Sequence, residues 1–404
     1  SVVNSFRTCL ERELCVRLDG LLGSKGIVLT YQSMLNLPPE FWRLLSAHRV
    51  LVIFDEIHHC AGDQPDNANA WGEAVIRHIQ DRATLTLALS GTPWRSDGVP
   101  ISLASYCDKG QVQCDYQYGL FDAVCDGVCR QPVITAIDNG HVLLRTASGQ
   151  EAYSSFSDLL SNSSCTYQQL IDNDKLLDYV LGAGNQQLKK HRMGNPKAGG
   201  LVVAASVDHA DRVAGMLHRM TGETPMVVTY AENDPQGLIS QFRESNQPWI
   251  VSVGMISEGT DIPRLQVCCH LTRVKTELYF RQILGRILRS TGCQGEQAHL
   301  FMPAEPTLLE HARRVAEDIP HSATLRITSM TPRGEESDGT LRLMNPDQDS
   351  RPTLTLADEP TTLRPPRPPT PLPHPELDLP YPDAHHLGLF GRFKREILNL
   401  SLPG

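Results

Sequence analysis

The feature that most constrains the fold is a run of apolar residues that ends on two carboxylates. Residues 50–54 read Val-Leu-Val-Ile-Phe, and Asp55 and Glu56 follow directly. A continuous apolar run of this length is typical of a strand buried on both faces of a parallel sheet. At the end of such a strand, one carboxylate can hold Mg²⁺ through water, and the other can orient a water molecule. The run therefore predicts half of a site that hydrolyses a nucleoside triphosphate.

The other half of such a site is a glycine-rich loop with Gly-Lys-Ser/Thr, whose backbone N–H groups hold the phosphates. No such loop occurs in the 54 residues before Asp55, and the nearest stretch is Gly-Ser-Lys-Gly at 23–26. The chain also begins with Ser1 rather than Met. We therefore expect an N-terminally truncated fragment that hydrolyses little or no ATP alone.

Three further motifs follow in order along the chain. Ser-Gly-Thr-Pro-Trp-Arg occupies 90–95, Glu-Gly-Thr-Asp occupies 258–261, and Gln-x-x-Gly-Arg-x-x-Arg occupies 282–289. Together with Asp-Glu-Ile-His at 55–58, this set resembles the DExH-type helicases of superfamily 2, in the branch related to type III restriction subunits (ResIII-like). The resemblance implies an ATP hydrolase with ATP and Mg²⁺ as cofactors.

The resemblance assigns the first two motifs to the nucleotide site. It implies that Asp55 binds Mg²⁺ and that Glu56 polarises the attacking water. It also implies that His58 couples this site to Ser90 and Thr92. An ordinary acidic strand end is the alternative for the two carboxylates, and the later motifs make it the weaker interpretation.

The last two motifs are assigned to the same reaction. The resemblance implies the catalytic residues Gln282, Arg286 and Arg289 and the nucleotide-binding residues Gly259 and Asp261. Because Arg286 and Arg289 lie three apart on a predicted helix, they share a face. Guanidinium groups there can stabilise transition-state charge. Gly285 is expected to let the helix pack closely, and a solvated arginine face is the alternative.

Four hydroxyl residues are candidates for contact with nucleic acid. They are Thr30, Ser33, Ser206 and Thr260. Hydroxyls and backbone N–H groups at the starts of helices suit phosphates. Simple helix capping explains Ser33 and Ser206 nearly as well. We expect weak, salt-dependent binding of nucleic acid, with DNA as the first choice, although these residues do not separate DNA from RNA.

Apolar strands that alternate with amphipathic helices predict an α/β fold with parallel sheets. The resemblance implies two RecA-like parallel-sheet domains, the first of them incomplete. The predicted divisions are a partial helicase ATP-binding domain at 1–98, a connector at 99–197, the helicase C-terminal domain at 198–305 and a tail at 306–404. The first domain is expected to contain a strand over 26–31. In the connector we expect a β-hairpin at the Asp-Asn-Gly turn of 138–140 and a helix over 171–188.

The tail differs in composition, since 11 of the 28 prolines fall in 352–382. Such a segment is expected to be extended or disordered, and it could bind a protein partner. The spacing of Phe390, Phe393 and Ile397 predicts a short helix over 388–400. That helix would dock on the body or, with its basic residues, bind nucleic acid or a partner.

Composition describes an ordinary water-soluble chain, with 40% hydrophobic and 21% charged residues and a net charge of −9. No apolar run approaches the ~18 residues of a membrane span, so we expect no membrane and a cytoplasmic protein. The 11 cysteines read as reduced thiols. Those at 107, 114, 125 and 129 lack a paired Cys-x-x-Cys, which leaves a zinc ribbon as the minor alternative.

The resemblance implies an ATP-dependent DNA or RNA helicase or translocase of superfamily 2. Two alternatives stay open. One is a non-catalytic remnant that binds nucleic acid or a partner. The other is the motor subunit of a restriction or defence assembly whose nuclease lies elsewhere.

Overall fold

The computed structural model describes residues 26–317, except 96, 109, 147–148, 257–259 and 291–294, together with residues 340–344, 384–390 and 392–399. The proline-rich stretch 352–382 lies outside these residues, as does Gly259. Among the described residues, 26–116 form one compact unit, and 117–317 with the C-terminal strands form a second. We call them unit 1 and unit 2. This division differs from the predicted one, because most of the expected connector belongs to unit 2.

Unit 1 is built around two short parallel strands and three helices. Its elements are α1 Tyr31–Met34, α2 Pro39–Ala47, β1 Leu51–Phe54, α3 Ala70–His78, β2 Leu85–Ala88, β3 Ser105–Tyr106 and β4 Val112–Gln113. Strands β1 and β2 pair in parallel, with Phe54 opposite Ala88. Helix α2 precedes β1 in the chain, and α3 lies between β1 and β2. The buried core of the unit includes Trp42 and Val75.

The predicted strand over 26–31 is wrong. Residues 26–30 have no regular structure, and helix α1 starts at Tyr31. The Thr30 side chain accepts a hydrogen bond from the backbone N–H of Ser33 at 3.1 Å. A local cap of this kind competes with strand pairing, which explains why an apolar run becomes the lead-in to a helix.

Unit 2 contains a helix-covered sheet. Its elements are α4 Leu120–Cys125, β5 Gln131–Asn139, β6 Val142–Thr146, β7 Gly149–Tyr153, α5 Phe156–Asn162, α6 Tyr167–Ile171, α7 Asp174–Gly194, β8 Gly199–Ala204, α8 Val207–Thr221, β9 Met226–Val228, α9 Pro235–Glu244, β10 Trp249–Ser252, β11 Leu265–Leu271, α10 Glu277–Leu288, β12 Gln297–Pro303, α11 Pro306–Glu317, β13 Thr340–Met344, β14 Ala384–Leu389 and β15 Phe393–Asn399.

The main sheet of unit 2 has seven strands in the order β15-β5-β12-β11-β8-β10-β9. All neighbours are parallel except β15, which is antiparallel to β5. Helix α7 packs against β8, β11 and β12, and α8 packs against β8, β9 and β10. Every residue of β8, β10 and β11 is buried. The α/β prediction is confirmed by this mostly parallel sheet.

The predicted hairpin at 138–140 is wrong, because β5 and β6 belong to different sheets. Strand β5 lies between β12 and β15, whereas β6 pairs with β7 and β14 in a four-stranded antiparallel sheet. Neither Asn139 nor Gly140, both described, has the positive φ that a tight hairpin turn needs. The turn instead carries the chain from one sheet to the other, and the true hairpin is β6–β7.

The predicted helix over 388–400 is also wrong, since β14 and β15 occupy this region. Phe393 stacks on the Tyr179 ring with 4.3 Å between centroids, and Arg395 Nε donates to Tyr179 Oη at 2.9 Å. Phe393 and Arg395 therefore contact the same residue. Side chains two positions apart lie on the same face of a strand, so this spacing is that of a strand. Pairing with the open edge of β5 outweighs the helical spacing of the apolar residues.

Among the described residues, no helix is long and apolar enough to cross a membrane.

Candidate functional site

The two carboxylates lie where β1 ends in unit 1. Asp55 is exposed, and Glu56 is half-buried. Glu56 has a left-handed backbone, with φ 52° and ψ 51°, and it turns the chain into the short 3₁₀ helix Ile57–His59. A non-glycine residue in this region is uncommon, and such strain occurs often at functional sites. An exposed carboxylate that can take Mg²⁺ together with water fits the cation assigned to Asp55.

Tyr31 holds the backbone at this strand end. Its hydroxyl donates to the carbonyl oxygen of Asp55 at 2.7 Å. Its ring lies against Trp71, with 5.5 Å between ring centroids. Burial and the nearby Cys60 raise the pKa of Tyr31 above its ordinary range, and burial raises the pKa of Cys60 to about 12. Both groups therefore stay protonated at neutral pH, and Tyr31 remains a hydrogen-bond donor to Asp55.

His58 is brought together with the second motif. Its side chain is 1% exposed, and its Nδ1 lies 2.8 Å from Ser90 Oγ and 3.4 Å from Thr92 Oγ1. The same nitrogen lies 3.2 Å from Glu56 Oε2. The residues expected to couple the nucleotide site to the Ser-Gly-Thr loop are therefore in direct contact. Their role in coupling stays a prediction.

Arg95 belongs to this network, although the sequence assigned it no role. Its Nη1 donates to the carbonyl oxygen of His58 at 2.6 Å, and its guanidinium binds both oxygens of the Asp97 carboxylate. Burial raises the pKa of Asp97, but the hydrogen bonds from Arg95 and the backbone outweigh it and lower the pKa overall. Its place in the Ser-Gly-Thr-Pro-Trp-Arg motif was the available signal.

In unit 2 the two later motifs also meet. Arg286 Nη1 donates to the carbonyl oxygen of Thr260 at 2.7 Å. Arg289 forms an ion pair with Asp261, and both side chains remain partly exposed, at 40% and 55%. Asp261 thus contacts Arg289, and Thr260 contacts Arg286, in the structure. Gln282 lies one turn before Arg286 on α10.

Two expectations about the arginine helix need correction. Helix α10 ends at Leu288, and Arg289 has the extended backbone of a cap, so the two arginines do not share a helical face. Close packing at Gly285 is wrong as well, because the residue is exposed and an added Cβ would meet no atom within 4 Å. Contacts with residues 260 and 261, rather than helical spacing, bring the arginines together.

The nucleic-acid candidates behave mostly as caps. Thr30 caps α1, and Ser33 Oγ lies 2.9 Å from Thr30 Oγ1. Ser206 Oγ accepts from the N–H of His209 at 3.2 Å and caps α8. Thr260 is 4% exposed, so its side chain does not face solvent here. Ser206 keeps intermediate exposure at the carboxyl end of β8, where ligands of open α/β sheets commonly bind.

The cysteines described by the structure are free thiols, including those at 107, 114, 125 and 129. Among the described residues, no group of three His, Cys, Asp or Glu side chains could hold a metal ion.

No protein-family model matches the chain. The chain is 35% identical over 294 residues to the uncharacterized proteins ML1624 of Mycobacterium leprae and Rv2917 of Mycobacterium tuberculosis. Each match covers 71% of this chain and 48% of the relative. The chain therefore spans about half the length of the curated relatives it matches.

Among solved structures, the chain is similar to a fragment of a putative HsdR subunit of a type I restriction enzyme from Vibrio vulnificus. The TM-score is 0.42 at 16% identity, over 65% of this chain and 45% of that one. It is also similar to Mycobacterium smegmatis helicase Lhr bound to ssDNA and AMP-PNP. The TM-score is 0.40 at 15% identity, over 72% of this chain and 33% of that one. A third similar structure is Saccharomyces cerevisiae Dbp5 bound to RNA and ADP BeF3. Its TM-score is 0.39 at 13% identity, over 76% of this chain and 66% of that one. Scores this low carry no argument, so any function rests on the chain's own residues.

Proposed function

We propose that this chain is the motor part of an ATP-dependent helicase or translocase of superfamily 2 that acts on nucleic acid, with DNA favoured. The observation that carries the proposal is the contact between His58 and Ser90, 32 positions apart and 2.8 Å between Nδ1 and Oγ. Two motifs that the resemblance links in function are also in contact. The contacts of Arg286 and Arg289 with residues 260 and 261 support the proposal in the same way.

The carboxylates divide the work at the end of β1. Asp55 is exposed and would hold Mg²⁺ through water, and Glu56 would orient the attacking water. Bound Mg²⁺ and ATP supply the charge neutralisation and the transferable phosphoryl group. The Glu56 carboxylate lies within 3.2 Å of His58. A movement of the Glu56 side chain would therefore displace His58, and His58 would in turn displace Ser90, which it also contacts.

The arginines would act on charge that develops during the reaction. Their side chains are positioned by residues 260 and 261 rather than buried, so they can exchange partners. In a form of the protein that also carries a phosphate loop, Arg286→Ala and Arg289→Ala should each lower kcat by a factor of about 10³–10⁵ while ATP binding changes little. Near-unaltered turnover in both variants would remove this assignment. Gly259 and Asp261 would contact the nucleotide.

Nucleic acid would bind along hydroxyls and backbone N–H groups at the starts of helices, with Ser206 and Thr30 as the first candidates. The net charge of −9 excludes a general basic field. Binding should therefore be weak and independent of base sequence, and log affinity should fall modestly with log salt. Single strands should bind better than blunt duplex. Fluorescence anisotropy with labelled oligonucleotides measures each of these properties.

The decisive test is whether a nucleotide changes the affinity for a single strand. In a form of the protein that also carries a phosphate loop, we would measure binding of labelled single-stranded DNA with and without millimolar Mg²⁺·AMP-PNP. A motor should change its Kd by about fivefold or more, the usual lower range of coupling between two sites. Asp55→Asn should remove this change, and the matched control Asp66→Asn, an exposed aspartate of unit 1, should keep it.

The other outcomes separate the alternatives. DNA binding that no nucleotide affects would overturn the motor and leave a non-catalytic nucleic-acid-binding protein. A folded chain that binds no DNA in the low-salt limit would favour a partner-binding protein.

A further inference from the structure

Arg130 is a buried arginine to which the motifs assign no role. It lies just before β5 and is 1% exposed. A buried guanidinium is costly unless its N–H groups are paired, and Arg130 uses all three of its nitrogens. Its Nε donates to Glu296 Oε2 at 2.6 Å, and its Nη2 donates to the carbonyl oxygen of Pro263 at 3.0 Å. Its Nη1 donates to the carbonyl oxygens of Leu265 at 2.8 Å and Ile287 at 3.2 Å.

The backbone beside Arg130 reinforces these bonds. The N–H of Arg130 donates to the carbonyl oxygen of Leu288 at 2.6 Å. Cys129 and Arg289 form an isolated antiparallel bridge, and the N–H of Gln131 donates to the carbonyl oxygen of Glu296 at 3.0 Å. Three separate parts of unit 2 therefore converge on residues 129–131. They are the end of α10, the segment 260–265 and the start of β12.

The end of α10 needs such a partner. The last four carbonyl groups of a helix have no partner within it, and a cation there is favourable. Arg130 satisfies the carbonyl of Ile287 with its side chain and that of Leu288 with its backbone. The planar guanidinium can reach carbonyls of α10 and of 263–265 together, whereas a lysine has one compact charge and no fork.

The arginines of the proposed site belong to one of these segments, the end of α10, and contact another, the segment 260–265. Arg286 and Arg289 lie at the end of α10, and their partners are Thr260 and Asp261. These two partners begin the segment 260–265, in which Arg130 donates hydrogen bonds to the carbonyl oxygens of Pro263 and Leu265. We propose that Arg130 is a positioning residue that fixes the end of α10 against the segment 260–265 and so sets the placement of Arg286 and Arg289. The inference rests on the proposed function for what those arginines do, but the fixing itself can be tested without it.

Unit 2 offers a matched control in Arg264, which is also buried, at 7% exposed. Its guanidinium donates to the carbonyl oxygens of Phe242, Lys197 and Gln247 at 3.0, 2.9 and 2.8 Å. It thus makes the same kind of bonds to other elements. Arg130→Lys and Arg264→Lys should lower the melting temperature to a similar extent.

Hydrogen exchange followed by mass spectrometry tests the fixing in the whole chain. In Arg130→Lys, exchange should rise most in peptides that cover 284–290. In Arg264→Lys it should rise around 197–199 and 242–247 instead. If Arg130→Lys does not fold, Glu296→Gln releases part of the same network and should raise exchange at 284–290 to a smaller extent. Equal rises throughout unit 2 in all the variants would overturn the proposal.

The functional test uses the effect of Mg²⁺·AMP-PNP on the affinity for single-stranded DNA, measured in a form of the protein that also carries a phosphate loop. Arg130→Lys should lose most of a change that is about fivefold or more in the unaltered protein. Arg192→Lys should keep it, because Arg192 lies outside the segment 260–265 and its guanidinium donates to the carbonyl oxygens of Ala198 and Asn246. Equal loss in both variants would show a general effect of stability and would overturn the positioning role. If the unaltered protein shows no nucleotide effect, the proposed function fails, and the exchange pattern at 284–290 alone supports or overturns the fixing.

Discussion

The two units use the same kind of strand in opposite surroundings. In β1 and β2 of unit 1, Leu51 and Ile53 are each 54% exposed, and Leu85 is 64% exposed. In β8 and β10 of unit 2, Val202 and Val251 are completely buried. All four strands are mostly apolar, and all pair in parallel. An apolar run therefore predicts a strand, but it does not report whether both faces are covered.

The difference arises from where helices pack. In unit 1, Phe54 faces a buried core that includes Met34, Trp42 and Val75, so one side of β1 is covered. Successive side chains of a strand alternate, and Leu51 and Ile53 fall on the other side. In unit 2, helices α7 and α8 pack against strands β8 to β12, as expected where both faces must be shielded from water. Strand β1 thus borders a one-sided core, every residue of β2 is exposed, and the sheet of unit 2 has a two-sided core.

The largest expected effect compares truncation in the two sheets. Leu201→Ala in β8 removes a side chain with no exposure and should lower the free energy of unfolding by about 2–5 kcal/mol. Leu85→Ala in β2 should cost less than about 1 kcal/mol, because the side chain already contacts water. Urea denaturation followed by circular dichroism measures both. An equally large cost at Leu85 would mean that the face is covered in solution.

Acidification should affect unit 2 through His270 on β11. The side chain has no exposure, and burial, the largest cause, lowers its pKa to about 4 from 6.5. The unfolded state then binds the proton more readily than the folded state. The contribution of neutral His270 to the free energy of unfolding is therefore fully present above pH 6.5 and is lost as the pH falls towards 4. The loss is about 3 kcal/mol at about 1.4 kcal/mol per pKa unit.

His270→Leu should flatten this pH dependence, and His218→Gln, at an exposed position of α8, should not. Thermal denaturation between pH 7 and pH 4 would compare the two variants. An unchanged slope in His270→Leu would assign the acid sensitivity to other groups.

A smaller effect tests how tightly the two-sided core is packed. A Cβ added to Gly200 on β8 would lie 2.4 Å from the Trp249 ring. Gly200→Ala should therefore cost about 1–3 kcal/mol through overpacking, read from the melting temperature. A neutral result would show that the ring shifts easily and that the sheet of unit 2 is less rigid than its burial indicates.

The smallest effect is expected at an open position of unit 2. At Gly285 on α10 an added Cβ would meet nothing within 4 Å, and alanine is the better helix former. Gly285→Ala should raise the free energy of unfolding by about 0.5–1 kcal/mol. A gain in stability together with loss of the nucleotide effect would place a bound ligand at this glycine. A loss of stability would contradict the open surroundings.

Local patterns predicted much of this chain. Ser206, the cap of α8, accepts a hydrogen bond from the N–H of His209 three residues ahead, so a short stretch contains the whole interaction. The strands that carry the acidic pair and the buried sheet were recognisable because an apolar run is a property of adjacent residues. The resemblance implies that His58 and Ser90 act together, and the two side chains are in contact.

Such local patterns do not predict which strands pair when the strands are far apart in the sequence. The Asp-Asn-Gly turn at 138–140 has the local chemistry of a hairpin, yet β5 pairs with β12, more than 150 positions away. The C-terminal residues 393–399 have a helical spacing, yet they add a strand to β5. Arg130 gave no signal at all, because its importance comes from carbonyl groups 133 to 157 positions distant. Backbone carbonyls are present in every residue, so no pattern of side chains reveals which of them a buried guanidinium will meet.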